Sequence, residues 1–203
     1  KPQRVVILSH TNPDGDAIGS SLAWAEVLRR HGHDVTCILP NKFPYYLDFM
    51  PGCGDMVIYK NDTECRAAAA VRSADLIFCL DFHTMSRLDG LGDLIDENQH
   101  AKRILIDHHL NPVEDFDLMI SYPEASSTCY MVALLVETMF GAESISKDMA
   151  VNIFVGMMTD TGNFAFSSVT PDVFRMVSVL ASKGISIPEI HNNVYNSFTE
   201  GRA

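Results

Sequence analysis

The chain has 203 residues, 47% of them hydrophobic and 20% charged, with a formal net charge of −11. That length suits one large α/β domain, or one domain and part of a second, with a sizeable core. The acidic balance argues against a broad basic face for long duplex nucleic acid, and no apolar run approaches the roughly 20 residues that span a bilayer.

Arg4–Ser9 (RVVILS) is a short β-branched apolar run and is predicted as a buried strand. It follows the N-terminus directly, with no charged-then-apolar leader pattern. Ala17–His31 has helical periodicity through Ile18, Leu22, Ala25 and Leu28, and Gly32 is placed as its C′ residue. Asp34–Leu39 reads as a second strand, and Pro40–Gly54 as a long loop or short helices. Thr63–Arg72 is predicted helical; Leu76–Leu80, Arg103–Ile106 and Leu118–Ile120 are predicted as the third, fourth and fifth strands. Beyond residue 120 the pattern turns mostly helical. Ser126-Ser127-Thr128 caps a helix running to about Phe140, stopped by Gly141. Lys147–Met158 follows, then Thr170-Pro171 opening Asp172–Lys183, and a capping box at Ser186–Glu189 opening a last helix. Strand and helix in alternation imply an α/β fold: a parallel sheet of about five strands flanked by helices, with a helical continuation.

Four polar segments stand out, and the first three directly follow predicted strands. They are His10 to Asp16 (HTNPDGD), Asp81, Asp107-His108-His109, and Asp160 to Phe164 (DTGNF). A parallel sheet brings the first three to one edge, where ligands bind in such folds. Singly, each has a bland reading as a turn, a cap or a surface histidine. Together they supply the carboxylates and imidazoles of a dinuclear metal centre, with Asp81 central enough to bridge. Mn²⁺ is the expected ion, as a pair, with Mg²⁺ or another divalent cation as alternatives. Five of the 26 acidic residues lie in these segments, and two such ions would leave a net charge of about −7. The five cysteines are odd in number and form no C-x-x-C pair, which points to a reducing cytoplasm rather than a disulfide framework or a zinc ribbon. Glycine-rich nucleotide loops and a nucleophile elbow are absent.

In order and spacing these segments resemble the DHH family of phosphoesterases, named for the triplet seen here as Asp107-His108-His109. Within it the chain is most similar to the bacterial oligoribonucleases that also act as 3′-phosphoadenosine-5′-phosphate phosphatases. The resemblance implies that His10, Asp14 and Asp81 bind one metal, and that Asp16, Asp81, His108 and Asp160 bind the second. It implies a hydroxide between the metals as the nucleophile, His109 facing the substrate phosphate, and Asp107 orienting a histidine of the triplet. Asp81, Asp107 and His109 are thus the expected catalytic residues. Ser127 and Asn163 are expected at the phosphate; Arg87, the cation nearest the second motif, is either a phosphate contact or a solvated surface arginine. The family has a small hydroxyl or similar residue two positions after the bridging aspartate; here stands His83, either a substrate-facing group or a surface histidine. The family also has a C-terminal substrate-binding domain with a glycine-rich histidine motif, and nothing here matches it. The expected division is a catalytic domain over 1–185 and the start of an interdomain linker helix over 186–203. The expected substrate is a short oligonucleotide or a phosphorylated nucleotide, with no long duplex and no membrane, and a homodimer is a candidate assembly. A manganese-dependent inorganic pyrophosphatase and a non-catalytic nucleotide-binding regulatory module are the competing readings.

Overall fold

The computed structural model describes residues 1–113 and 116–196. Its central strand, β1 (Arg4–Leu8), shows how the layers arise. Val5 and Ile7 enter one apolar cluster, while Val6 and Leu8 enter the cluster on the opposite face, as the period-2 alternation of a strand requires. A sheet apolar on both faces needs cover on both, and the helices supply it.

The other strands are β2 (Asp34–Leu39), β3 (Val57–Ile58), β4 (Leu76–Leu80), β5 (Lys102–Asp107) and β6 (Leu118–Ser121). All pairings are parallel, in the order β3-β2-β1-β4-β5-β6. The described residues thus hold six strands, not about five. The additional strand is β3, two residues long and too short to show any periodicity. Register matches Leu8 with Cys79 and Leu80 with Ile106, so β1, β4 and β5 end nearly level. The chain runs outward from β1 in one direction through β2 and β3, then returns to start β4 on the other side. The junction of β1 and β4 is therefore the topological switch point, where a crevice opens beyond the strand ends.

The helices are α1 (Gly15–Arg30), α2 (Arg66–Ser73), α3 (Leu91–Glu97), α4 (Thr128–Phe140), α5 (Lys147–Asp160), α6 (Pro171–Ala181) and α7 (Ile187–Tyr195). Helix α1 starts where Asp14 accepts from the amides of Asp16 and Ala17, each at 3.0 Å, a cap that contributes about 1 kcal/mol. It ends before Gly32, whose φ of +83° suits a C′ glycine. Buried residues lie nearly all round α1 because it sits between the sheet and α5. The two helices approach closely at Gly19, where a Cβ would stand 2.3 Å from the Asn152 carbonyl oxygen.

Several boundaries differ from the sequence reading. Helix α2 begins at Arg66 rather than Thr63, since Cys65 takes a left-handed φ of +55° and Asp62 accepts from the Ala67 amide at 2.7 Å. The short α3 was not predicted; Gly90 before it offers no side-chain cap. Helix α5 runs on to Asp160. Ser186 precedes α7 but makes no side-chain capping bond. Residues 197–203 of the expected linker lie outside the described residues. No helix among those described is long and apolar enough to cross a membrane.

Candidate metal centre

His10 and Asp81 lie just past β1 and β4, the two strands at the switch point, and Asp107 ends the adjacent β5. Asp14 and Asp16 open α1, and Asp160 closes α5. Asp81 has a φ of +64°, a region that residues with a Cβ occupy at a cost and that clusters at functional sites. Its amide donates to the Ile106 carbonyl at 3.1 Å, which fastens that bend to the end of β5.

The side chains converge in two adjoining groups. In the first, His10, Asp14 and Asp81 bring ligand atoms within 4.8 Å of one another, with His10 Nε2 3.4 Å from Asp81 Oδ2. In the second, Asp16, His108 and Asp160 do the same; His108 Nε2 is 3.4 Å from Asp160 Oδ2 and 3.8 Å from Asp16 Oδ2. The two groups meet at Asp81, whose other oxygen, Oδ1, is 3.7 Å from His108 Nε2. All six residues expected to hold metal are thus brought together, and Asp81 stands between the two groups.

The donor chemistry of this cluster fits cations. His10 Nδ1 lies 2.8 Å from the Thr11 carbonyl oxygen and His108 Nδ1 lies 3.2 Å from that of Ala125. Each contact needs the proton on Nδ1, which leaves a bare Nε2 lone pair turned toward carboxylates. Lone pairs facing carboxylate oxygens are unfavourable unless a positive charge lies between them. The acids respond accordingly in the metal-free chain. Burial, and then the charges of Asp81 and Asp160, holds the Asp16 carboxyl well above the usual range. Burial, then Asp14, does the same to Asp81, and burial raises Asp160.

Helix α4 backs the cluster. The amides of Thr128 and Cys129 donate to Asp16 Oδ2 and Oδ1, each at 2.7 Å, and the Thr128 hydroxyl donates to Asp81 Oδ1 at 2.9 Å. The positive end of this helix therefore holds both central carboxylates. Sequence reasoning had marked the Ser-Ser-Thr segment as a cap but missed this role of Thr128. Ser127, expected at the phosphate, is fully buried, and its Oγ accepts from the Tyr130 amide at 3.0 Å. With its cap made and its first amides on Asp16, the α4 terminus is engaged by the chain itself. Gly156 of α5 completes the packing: a Cβ there would meet Cys129 Sγ at 2.2 Å and Asp16 Oδ1 at 2.9 Å.

The remaining expected residues differ in exposure. Asp107 is fully buried; its Oδ1 is 2.7 Å from His109 Nδ1, and its Oδ2 accepts from the His109 amide at 3.1 Å. Asp107 therefore orients His109, and its hydrogen bond raises the His109 pKa. The His83 ring lies 5.4 Å from that of His109, tilted by 30°, and its buried Nδ1 has no hydrogen-bond partner among the described residues. Arg87 is exposed, with a guanidinium nitrogen 3.3 Å from His10 Nδ1, and its carbonyl accepts from the Thr11 amide at 2.8 Å. Asn163 is exposed in a left-handed turn after α5, and its side chain makes no hydrogen bond among the described residues.

The profile of the DHH family, N-terminal domain, matches residues 4–157. Over 189 residues the chain is 29% identical to the bifunctional oligoribonuclease and PAP phosphatase NrnA of Thermus thermophilus, covering 92% of this chain and 52% of that protein. It matches the crystal structure of an exopolyphosphatase-related protein from Bacteroides fragilis with a TM-score of 0.94 and 40% identity, covering 98% of this chain and 58% of that one. A Methanococcus jannaschii protein assigned to the family II inorganic pyrophosphatases shares the fold, with a TM-score of 0.67 at 20% identity over 93% of this chain and 61% of that one. The chain spans about half the length of the curated relatives it matches.

Proposed function

The chain belongs to the DHH family, whose N-terminal domain it carries, and from that premise we propose that it is the metal-holding catalytic domain of a phosphoesterase. Its substrates are short oligonucleotides, 3′-phosphoadenosine-5′-phosphate, or both. The observation that carries this reading is the meeting of His10, Asp14, Asp16, Asp81, His108 and Asp160 around a shared Asp81. The similarity to an oligoribonuclease and PAP phosphatase supports the substrate class.

His10, Asp14 and Asp81 would hold one divalent cation, and Asp16, Asp81, His108 and Asp160 a second, with Mn²⁺ the ion that this mixture of imidazole and carboxylate suits. When bound, such ions supply Lewis-acid polarisation of a phosphoryl oxygen and make water acidic enough to attack at neutral pH. The chain's own residues do the rest. Asp107 fixes the His109 ring through Nδ1, so Nε2 is the free nitrogen, and in the imidazolium it carries a proton for a phosphoryl or leaving oxygen. In the metal-free chain the Asp107 hydrogen bond raises the His109 pKa and so favours the charged form, which binds an anion more strongly. Arg87 adds a second cation beside His10, and His83, stacked beside His109, faces the same rim. Asn163 lies in the turn just past Asp160. The five cysteines are free, which supports action in a reducing cytoplasm.

The test is hydrolysis of the dinucleotide pApA, of 3′-phosphoadenosine-5′-phosphate and of pyrophosphate, with and without Mn²⁺. Mn²⁺-dependent cleavage of either nucleotide supports the reading. Cleavage of pyrophosphate alone assigns the chain to the pyrophosphatases, and metal binding with no hydrolysis makes it a binding module.

A further inference from the structure

Resting on a nucleotide as substrate, we propose that Phe166 is the surface on which a nucleobase of that substrate stacks. After Asp160 the backbone doubles back through Gly162, Asn163 and Phe164, with φ values of 56°, 59° and 62°. Consecutive left-handed residues, one of them a phenylalanine, are costly and persist only where the surroundings enforce them. The enforcement is visible here. Thr161 is fully buried, its carbonyl accepts from the amides of Ala165 and Phe166 at 3.0 and 3.1 Å, and its Oγ1 accepts from the Phe164 amide at 3.0 Å. Thr161 directly follows Asp160, so the turn pins the main chain of Phe166 at the edge of the metal cluster.

The two aromatic rings of this turn part company. Phe164 packs inward on Phe154, with ring centroids 5.6 Å apart. Phe166 folds back over Gly162, where a Cβ would stand 2.5 Å from the ring. The absent side chain of Gly162 is what lets the ring lie on the peptide. Phe166 nonetheless remains 59% exposed, so the ring is supported by main chain and open to solvent. An exposed phenyl ring, backed by main chain in the turn that directly follows Asp160, offers a base-stacking platform. Having no hydrogen-bonding group, it reads only the π-face, so it accepts any base and grips neither pyrophosphate nor a base-free ester.

The experiment compares the wild-type full chain, Phe166→Ala and Phe166→Tyr, each loaded with Mn²⁺. The substrates are pApA and the corresponding dinucleotide lacking both bases. The ratio of kcat/KM for pApA to that for the base-free analogue should fall about tenfold in the alanine variant, through KM, and recover in the tyrosine variant. A dinucleotide containing 2-aminopurine should be quenched on binding to the wild type and the tyrosine variant, and not to the alanine variant. An unchanged ratio in Phe166→Ala, or an equal loss on both substrates, overturns the proposal. If the wild type fails to cleave pApA yet quenches 2-aminopurine in a Phe166-dependent way, the stacking surface stands and the reading of its reaction falls. If it does neither, both fall.

Discussion

Thr128→Val removes one hydroxyl from the centre and little else. Valine has nearly the same shape, and the backbone amide at 128 still donates to Asp16. The lost contact is the 2.9 Å hydrogen bond to Asp81 Oδ1, between buried partners. A hydrogen bond to a charged group contributes about 1.5–3 kcal/mol. This one also favours the ionised form of Asp81 against burial and the charge of Asp14. Without it the Asp81 carboxyl holds its proton more tightly, and a cation must displace that proton. At about 1.4 kcal/mol per factor of ten, the expected loss in Mn²⁺ affinity is about 10–100-fold, the range seen when an outer partner of a metal ligand is removed. Calorimetric titration of the chelated protein with Mn²⁺ at neutral pH measures it, with far-ultraviolet circular dichroism to check the fold. Thr128→Ser, which keeps the hydroxyl, should bind nearly as the wild type does. A folded valine variant that binds Mn²⁺ within about twofold of the wild type would refute the claim that α4 tunes the shared carboxylate.

Asp81→Asn keeps a side chain that tolerates left-handed backbone but removes the shared charge. Mn²⁺-dependent hydrolysis should fall at least about 100-fold with the circular dichroism unchanged, and near-full activity would mean that Asp81 does not join two ions. Gly156→Ala forces a methyl group against Cys129 Sγ and Asp16 Oδ1; overpacking of this kind costs about 1–3 kcal/mol in urea denaturation. Adding Cys129→Ala should restore part of that loss, and no recovery would place the clash elsewhere. The chelated chain should also lose stability as pH rises. Asp16, Asp81 and Asp160 have folded-state values raised above the unfolded range of about 4. The folded state therefore keeps protons that the unfolded state releases, and their stabilisation is present below about pH 4 and lost as pH climbs through the raised values. The acids with lowered values, Asp62, Asp75, Asp89, Asp117 and Glu137, titrate below that window. In EDTA the Tm should drop as pH rises above about 4 through the raised values, and saturating Mn²⁺ should abolish the drop; a Tm that climbs with pH in EDTA would contradict the raised values.

The strands and the cluster proposed to hold metal were legible because local chemistry marks them. RVVILS and LIFCL are apolar runs too short for helices, and each is followed by a polar group, His10 or Asp81, that would be costly at a buried strand end without a use. Parallel order follows from alternation, and parallel order brings His10, Asp81 and Asp107 to one edge. Val57–Ile58 was not legible, since two residues have no period, nor was α3, which lacks a capping side chain. Other features depend on residues far apart in the chain. Sequence left open which histidine of the triplet Asp107 orients; the bend after β5 brings His109 Nδ1 back to it. Ser127 and Thr128 are neighbours with similar hydroxyls, yet one closes its own helix and the other reaches Asp81, 47 residues away. Gly156 and Gly19 carry no local signal for their role, which exists only because α5 packs against α1 and α4. Residue type and spacing decided which groups could hold metal. The packing of α4 and α5 on the sheet decided how those groups are charged, hydrogen-bonded and aimed, because desolvation and hydrogen-bond geometry depend on neighbours that only the folded chain brings together.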